Sequence, residues 1–236
     1  MNLDFPHPIK DLVSLEPASV TNIFGAAGTG KTNLCLLLAT ECARKGGKVA
    51  YMDTEGGFSM ERLRQMAGKE IDNIVNSIIL VEPKNFEEQG ERIRKIETMK
   101  VDLIILDSSV ALYRLEPNKN SKVEKPPSKD YYKTDIFDHN RELSKQISIL
   151  SAISRDKNIP VVLTAHTYKN WDTGENEIVG GDPMKYWSKC IIFLEKTGKT
   201  GERKATIIKH RSQPEGKSVK FEIVEEGIKP SGFRIF

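Results

Sequence analysis

Eight consecutive residues near the start of the chain have the types and spacing of a phosphate-binding loop. They are Gly25, Ala26, Ala27, Gly28, Thr29, Gly30, Lys31 and Thr32. The apolar run 20–24 precedes them, and Asn33 then leads into the apolar run 34–39. A strand, a glycine-rich loop and a helix in this order are the context in which such a loop binds phosphate.

The chemistry of this loop follows from its residue types. Glycines let successive backbone N–H groups point at one phosphate group, and a helix N-terminus favours an anion. In such a loop the Lys31 ammonium reaches the β- and γ-phosphates, and the Thr32 hydroxyl ligates Mg²⁺. Residues 25–33 are therefore predicted to bind a nucleoside triphosphate, against the alternative of an ordinary glycine-rich turn.

Two carboxylates end apolar runs further along the chain. Asp107 ends the run 103–106, where it could orient Mg²⁺ through the water shell of the ion. Glu55 follows the run 48–52, and a carboxylate there can accept a proton from an attacking water. From the residues alone, Asp107 could also be a simple acidic strand end, and Glu55 could equally be a solvated loop residue. Lys31 and Glu55 are the catalytic candidates, and Thr32 and Asp107 are the metal candidates.

The elements that must position these residues alternate between helix and strand. The run 101–107 is continuously apolar, which is typical of a central strand in a parallel sheet. We predict helices at 31–45, 59–67, 86–99 and 136–157, and strands at 48–52, 78–81 and 160–165. A loop is expected at 167–183. The tail predicts antiparallel strands at 190–195, 205–210, 219–224 and 232–236. The fold class is therefore α/β, a mostly parallel twisted sheet flanked by helices, with a C-terminal antiparallel extension.

Composition narrows the class of protein further. The chain has 236 residues, 38% hydrophobic and 29% charged, with a net charge of +3. These values predict one globular domain, and they permit a nucleic-acid partner without requiring one. No membrane span or leader is expected, so the predicted location is cytoplasmic. The three cysteines show no metal-ligand spacing. The segment from about 115 to 134 has almost nothing to bury, and we expect a flexible insertion there.

Four stretches resemble the RecA/RadA recombinases, in matching order and spacing. They are 53–58 with Glu61 and Arg62, then 106–114, 180–182 and 212–216. Among these recombinases the chain looks most like the short archaeal paralogues of RadA. The resemblance implies one RecA-like ATPase domain over 1–236, with Glu55 as the catalytic glutamate and Arg62 stacked on or near the adenine. Only 24 residues precede the phosphate loop, so we expect no N-terminal helix-hairpin-helix domain.

The same resemblance implies where DNA would bind. In the family, the loops after the Asp107 strand and after the strand 160–165 contact DNA. The DNA-binding candidates on these loops are Arg114, Lys119, Lys122, Lys169 and Trp171. The alternative for the first loop is a solvated linker whose lysines bind nothing specific. The alternative for Trp171 is that it packs its loop against the rest of the protein. His166 stands where the family has a glutamine that senses the γ-phosphate and relays it to the DNA loop, so His166 is the sensor candidate. The alternative is a structural histidine at a strand end. The change from glutamine puts the family's coupling between ATP and DNA in doubt.

The function implied by the resemblance is an accessory role in archaeal homologous recombination and DNA repair. ATP and Mg²⁺ are the expected cofactors, with weak hydrolysis and no strand exchange. The expected partners are single-stranded or branched DNA, the RadA recombinase and a Holliday-junction resolvase, with a homodimer as one option for assembly. A minimal active recombinase and a KaiC-like regulatory ATPase that binds protein rather than DNA are the alternatives.

Overall fold

Strands and helices alternate along most of the chain, as parallel strands joined by crossover helices require. The computed structural model describes residues 1–115, 129–170 and 174–232, with the backbone alone described for 129–139. The strands are β1 (Val20–Gly25), β2 (Val49–Asp53), β3 (Ile78–Val81), β4 (Leu103–Asp107), β5 (Val161–Ala165), β6 (Thr167–Lys169), β7 (Asn176–Ile178), β8 (Cys190–Lys196), β9 (Glu202–Lys209), β10 (Ser218–Val224) and β11 (Gly227–Pro230). The helices are α1 (Lys31–Arg44), α2 (Met60–Ala67), α3 (Ile71–Val75), α4 (Phe86–Ile96), α5 (Ala111–Leu115), α6 (Lys129–Lys157) and α7 (Gly181–Trp187).

One large sheet carries the fold. Within the described residues it has nine strands, in the order β11-β10-β9-β8-β1-β5-β4-β2-β3. The six strands from β8 to β3 are parallel to one another. The strands β9, β10 and β11 continue from β8 in antiparallel pairs. This architecture confirms the predicted mostly parallel sheet with a C-terminal antiparallel extension.

Helices cover both faces of the parallel strands, so the molecule has two hydrophobic cores. Neighbouring residues of β1 point to opposite faces: Ile23 packs in the core beneath α1 and α2, and Phe24 packs in the core beneath α4 and α6. Every residue of β4 is buried, as the continuous apolar run predicts. The apolar face of α6 is also buried as predicted; it consists of Leu143, Ile147, Leu150 and Ile153.

The largest differences from the sequence-based expectations lie at three places. The long helix α6 begins at Lys129 and not near residue 136. Its first two turns are polar and show no apolar periodicity, so the sequence pattern does not predict them. The segment predicted as a loop contains β6, β7 and α7, whose three-residue strands are too short to show a period. The last strand is β11 at Gly227–Pro230, while most of the predicted strand 232–236 lies outside the described residues. Most of the predicted flexible insertion, residues 116–128, also lies outside them.

The remaining composition-based predictions concern cysteines and membranes. Cys35, Cys42 and Cys190 are all buried and free, so they contribute to the packing of the cores. Burial raises the pKa of the Cys42 and Cys190 thiols to about 12. No helix among the described residues has both the length and the apolar character that crossing a membrane requires.

Candidate functional site

The carboxyl ends of four adjacent strands meet at one edge of the sheet, where ligands of open α/β sheets bind. The phosphate loop follows β1, Glu55 follows β2, Asp107 ends β4 and His166 follows β5. Together they line a cavity of about 220 Å³, called the nucleotide cavity below. Its lining residues are Ala27, Gly28, Gly30, Lys31, Thr32, Glu55, Asp107 and His166. The structure thus brings together site residues that were predicted from separate stretches of the sequence.

The phosphate loop needs glycine at three positions. Gly28 and Gly30 have φ angles of +71° and +101°, in the left-handed region that favours glycine. A Cβ atom on Gly25 would lie 2.3 Å from the carbonyl oxygen of Leu194 in the neighbouring strand β8. A Cβ atom on Gly30 would lie 2.8 Å from the Cδ1 atom of Ile223. The loop can therefore take this path only because these residues have no side chain.

Lys31 is held inside the loop. Its Nζ atom donates hydrogen bonds to the carbonyl oxygens of Gly25 at 2.9 Å and of Ala26 at 3.1 Å. The residue is 8% exposed, and burial lowers the pKa of its ammonium, while the nearby Glu55 and Asp107 carboxylates oppose that shift. A buried cation beside backbone N–H groups is suited to bind the phosphates of a nucleotide.

Asp107 is buried at the end of β4 and is surrounded by hydroxyl groups. Its Oδ1 atom accepts a hydrogen bond of 2.6 Å from Thr164 Oγ1, and its Oδ2 atom accepts one of 3.0 Å from the Tyr51 hydroxyl. Burial raises the pKa of this carboxyl, whereas its hydrogen bonds from Thr164, Thr32 and Tyr51 lower it. The contact with Thr32 places two oxygen-bearing side chains together, and oxygen is the ligand atom that Mg²⁺ prefers. The sequence did not predict the roles of Tyr51 and Thr164.

Asp53 is a further residue that the sequence analysis missed. It is 2% exposed and accepts three backbone N–H groups of the next turn: Glu55 at 3.1 Å and Gly57 at 3.2 Å on Oδ1, and Phe58 at 2.7 Å on Oδ2. An aspartate that ends a strand and is followed within four residues by Gly56 and Gly57 is a local signal for such a turn. The turn fixes the backbone of Glu55 at the rim of the nucleotide cavity.

Thr54 ties the same turn to the neighbouring strand. Its hydroxyl donates to the Ser108 carbonyl oxygen at 2.6 Å and accepts from the Ser108 N–H at 2.9 Å. Its own N–H donates to the carbonyl oxygen of Asp107 at 2.8 Å. The ends of β2 and β4 are therefore held together, so the backbones of Glu55 and Asp107 keep a fixed relative position.

His166 contacts Glu55 directly. The imidazole Nε2 atom lies 2.6 Å from Glu55 Oε1, with 22% of the histidine side chain and 38% of the glutamate side chain exposed. The sequence predicts both residues at the site, but it does not predict that they touch.

Arg62 lies beside the cavity rather than among its lining residues. Its Nε atom donates to Asn33 Oδ1 at 2.8 Å, which ties α2 to the first turn of α1. Its terminal nitrogens donate to Gln65 and to three carbonyl oxygens at the turn between β10 and β11; the three are those of Val224, Glu225 and Gly227. These bonds use the edges of the guanidinium, so a contact with adenine would use one of its flat faces.

The DNA-binding candidates are only partly within the described residues. Arg114 is exposed in the last turn of α5, and Lys169 is exposed at the end of β6. Lys119, Lys122 and Trp171 lie outside the described residues. Near Lys169, the Tyr168 hydroxyl and the Asn170 amide both donate to the Glu177 carboxylate on β7, at 3.1 Å and 2.5 Å. These contacts connect β6 and β7 through their side chains.

Comparison with known proteins gives a consistent result. The family model described as Rad51 matches residues 12–231. The chain is 43% identical over 223 residues to the DNA repair and recombination protein RadB of Methanobrevibacter smithii, covering 91% of this chain and 88% of that protein. A protein of the same name from Methanococcoides burtonii is 41% identical over 228 residues, 94% of each chain. A solved structure, described as the crystal structure of the RadB recombinase, matches with a TM-score of 0.74 and 32% identity over 93% of both chains.

Proposed function

The chain belongs to the Rad51 family and, within it, to the RadB group of DNA repair and recombination proteins; from this premise we propose that it is an ATP- and DNA-binding accessory protein of archaeal homologous recombination. It hydrolyses ATP slowly with Mg²⁺ and performs no strand exchange of its own. It acts beside the RadA recombinase or a Holliday-junction resolvase. The chain forms one RecA-like ATPase domain.

The nucleotide cavity is the observation that supports this proposal most strongly. It places a buried cation, a buried carboxylate with a neighbouring threonine, and a second carboxylate around one space. The residues present fit a magnesium nucleotide, because the glycine loop offers backbone N–H groups at a helix N-terminus and the Thr32–Asp107 pair offers oxygen atoms. A Rad51-family protein is also expected to bind a nucleotide.

Each residue then has a defined task in hydrolysis. Backbone N–H groups of the phosphate loop bind the phosphates, and Lys31 neutralises their charge. Thr32 and Asp107 hold Mg²⁺, which supplies charge stabilisation on the phosphate oxygens when it is bound. Glu55 accepts the proton of the attacking water. Arg62 and Asn33 lie next to the loop, where they bind the adenosine part of the nucleotide.

DNA binds, in this proposal, at the segments that follow β4 and β5. Arg114 and Lys169 are exposed there, and Lys119, Lys122 and Trp171 belong to the same two segments of the sequence. Basic side chains neutralise phosphates and release counterions, while an aromatic ring can stack on an unpaired base. DNA affinity should therefore fall as the salt concentration rises.

One observation favours a second candidate, a minimal recombinase that assembles with copies of itself. Strand β3 is at the edge of the sheet, and its residues Ile79 and Leu80 are 38% and 40% exposed. An edge strand with exposed apolar side chains can pair with a strand of another chain. This candidate predicts filaments visible by electron microscopy and ATP hydrolysis that DNA stimulates strongly.

The test is to measure ATP hydrolysis with and without single-stranded DNA, on the sample that is used for a DNA-binding titration at several salt concentrations. Slow hydrolysis that DNA leaves nearly unchanged, together with salt-sensitive DNA binding, supports the accessory protein. Strong stimulation with filaments supports the minimal recombinase. Absence of DNA binding at low salt contradicts both and indicates a regulatory ATPase that binds only protein.

A further inference from the structure

The contact between His166 and Glu55 joins two residues at the rim of the nucleotide cavity. A carboxylate can only accept a hydrogen bond, so the Nε2 atom at 2.6 Å from Oε1 must be the donor. Both side chains line the cavity together with Lys31. Within the described part of the chain, this imidazole is the one hydrogen-bond partner of the Glu55 carboxylate.

The backbone of His166 is held from two sides. His166 is the single residue between β5, in the middle of the large sheet, and β6. Its carbonyl oxygen accepts a hydrogen bond of 2.9 Å from the N–H of Val179, which directly follows β7. The backbone that carries the ring is therefore fixed relative to both the central sheet and the β6–β7 pair, and the ring itself is held by its contact with Glu55.

The backbone of Glu55 is fixed by Asp53, but that bond does not determine the direction of the side chain. A glutamate has three rotatable side-chain bonds, so an unheld carboxylate samples several rotamers. A general base must lie within hydrogen-bonding distance of the proton that it takes. The contact with His166 removes most of this freedom by holding one of the two carboxylate oxygens.

We propose that His166 is a positioning residue that acts through Glu55: its ring N–H holds Oε1, so that Oε2 points to the water that attacks ATP. This role rests on the proposed ATPase.

The test compares His166→Ala, His166→Gln, Glu55→Gln and the double variant Glu55→Gln with His166→Ala. His166→Ala lowers kcat about tenfold with ATP affinity within about twofold of the wild type, because the base is misdirected and not lost. His166→Gln recovers part of that loss, since its amide N–H can also donate. Glu55→Gln lowers kcat by about 100-fold or more, and His166→Ala adds nothing in that background.

The matched control is His7→Ala, which removes another histidine–carboxylate contact, the 2.8 Å pair of His7 and Asp11. The side chains of His7 and Asp11 are about half exposed, and neither residue lines the nucleotide cavity. A general effect of losing a surface histidine would appear in this variant too. If His166→Ala does not fold, the ring nitrogen chemical shifts of His166 measure the contact instead, because they should change in Glu55→Gln and stay constant in Glu61→Gln.

The outcomes separate this role from the proposed function. Hydrolysis that depends on Glu55 but is unchanged or faster in His166→Ala overturns the positioning role alone, as do additive effects in the double variant. Constant His166 ring shifts in Glu55→Gln overturn it as well. Wild-type hydrolysis no faster than that of Glu55→Gln overturns the ATPase together with the positioning role.

Discussion

The nucleotide cavity and the β6–β7 pair are neighbours, joined by His166, yet their side chains are held very differently. Asp107 is buried with three hydroxyl partners, and Asp53 is buried with three N–H partners. In the β6–β7 pair, Lys169 is exposed and Tyr168 is 47% exposed. The cavity is thus pre-organised for one chemistry, whereas the pair presents an open surface. In the proposed function, nucleotide binding is therefore built into the fold, whereas DNA binding relies on exposed segments.

The largest effect is expected from Asp107→Asn, which removes the charge but keeps the size of the side chain. Because this carboxylate is the proposed charged protein group at the Mg²⁺ position, Mg²⁺-dependent hydrolysis should fall by about 100-fold or more. Steady-state phosphate release at several Mg²⁺ concentrations measures it.

The matched control for Asp107→Asn is Tyr51→Phe, which removes one hydrogen bond to Asp107 but leaves its charge. This variant should lose far less activity than Asp107→Asn. Equal activity of Asp107→Asn and the wild type would mean that the cavity does not hold the metal at this position.

Arg62→Ala is expected to have an intermediate effect, on stability. The side chain ties α2 to α1 and to the turn between β10 and β11, so its loss leaves several carbonyl oxygens without a donor. The free energy of unfolding in urea should fall by about 2 kcal/mol. Nucleotide affinity should weaken as well, because Asn33 loses its partner.

Arg64→Ala is the control for Arg62→Ala, since it removes an exposed arginine of the same helix. Its free energy of unfolding should stay close to that of the wild type. An equal decrease in the free energy of unfolding in the two variants would show that the hydrogen bonds of Arg62 to the turn between β10 and β11 do not stabilise the fold.

The smallest effects are expected from Arg114→Ala and Lys169→Ala, on the open surface. Each should weaken binding to single-stranded DNA by a few-fold and reduce the slope of log affinity against log salt by about 1. Fluorescence anisotropy at four or five salt concentrations measures both quantities. Lys95→Ala, an exposed lysine of α4, is the control. If it weakens binding as much, the segments after β4 and β5 are not the DNA contact.

Much of the cavity could be predicted from the sequence, because the phosphate loop, Glu55 and Asp107 each lie at or just beyond the end of an apolar run. Parallel strands bring such positions to one edge of the sheet without further information. The contact between Glu55 and His166 could not be predicted, since it joins residues 111 positions apart and depends on side-chain direction. The partners of Arg62 on β10 and β11 are more than 160 positions away and were missed for the same reason.

The fold was predictable where apolar runs are long and not where elements are short or polar. The strand β4 and the apolar face of α6 show clear patterns. The strands β6 and β7 have three residues each, and the first two turns of α6 are polar, so neither leaves a periodic signal. The role of Asp53 depends on the three-dimensional turn, although the residue lies within the motif 53–58.

The most direct test of the central claim is a titration of the wild type and of Lys31→Ala with a fluorescent ATP analogue and Mg²⁺. Thermal melts of both proteins by circular dichroism verify that each is folded. We predict saturable binding by the wild type and a loss of affinity of about 100-fold or more in the variant, because the buried ammonium is the cation that faces the phosphates. A folded Lys31→Ala protein that keeps its affinity for the nucleotide would contradict the assignment of the phosphate loop.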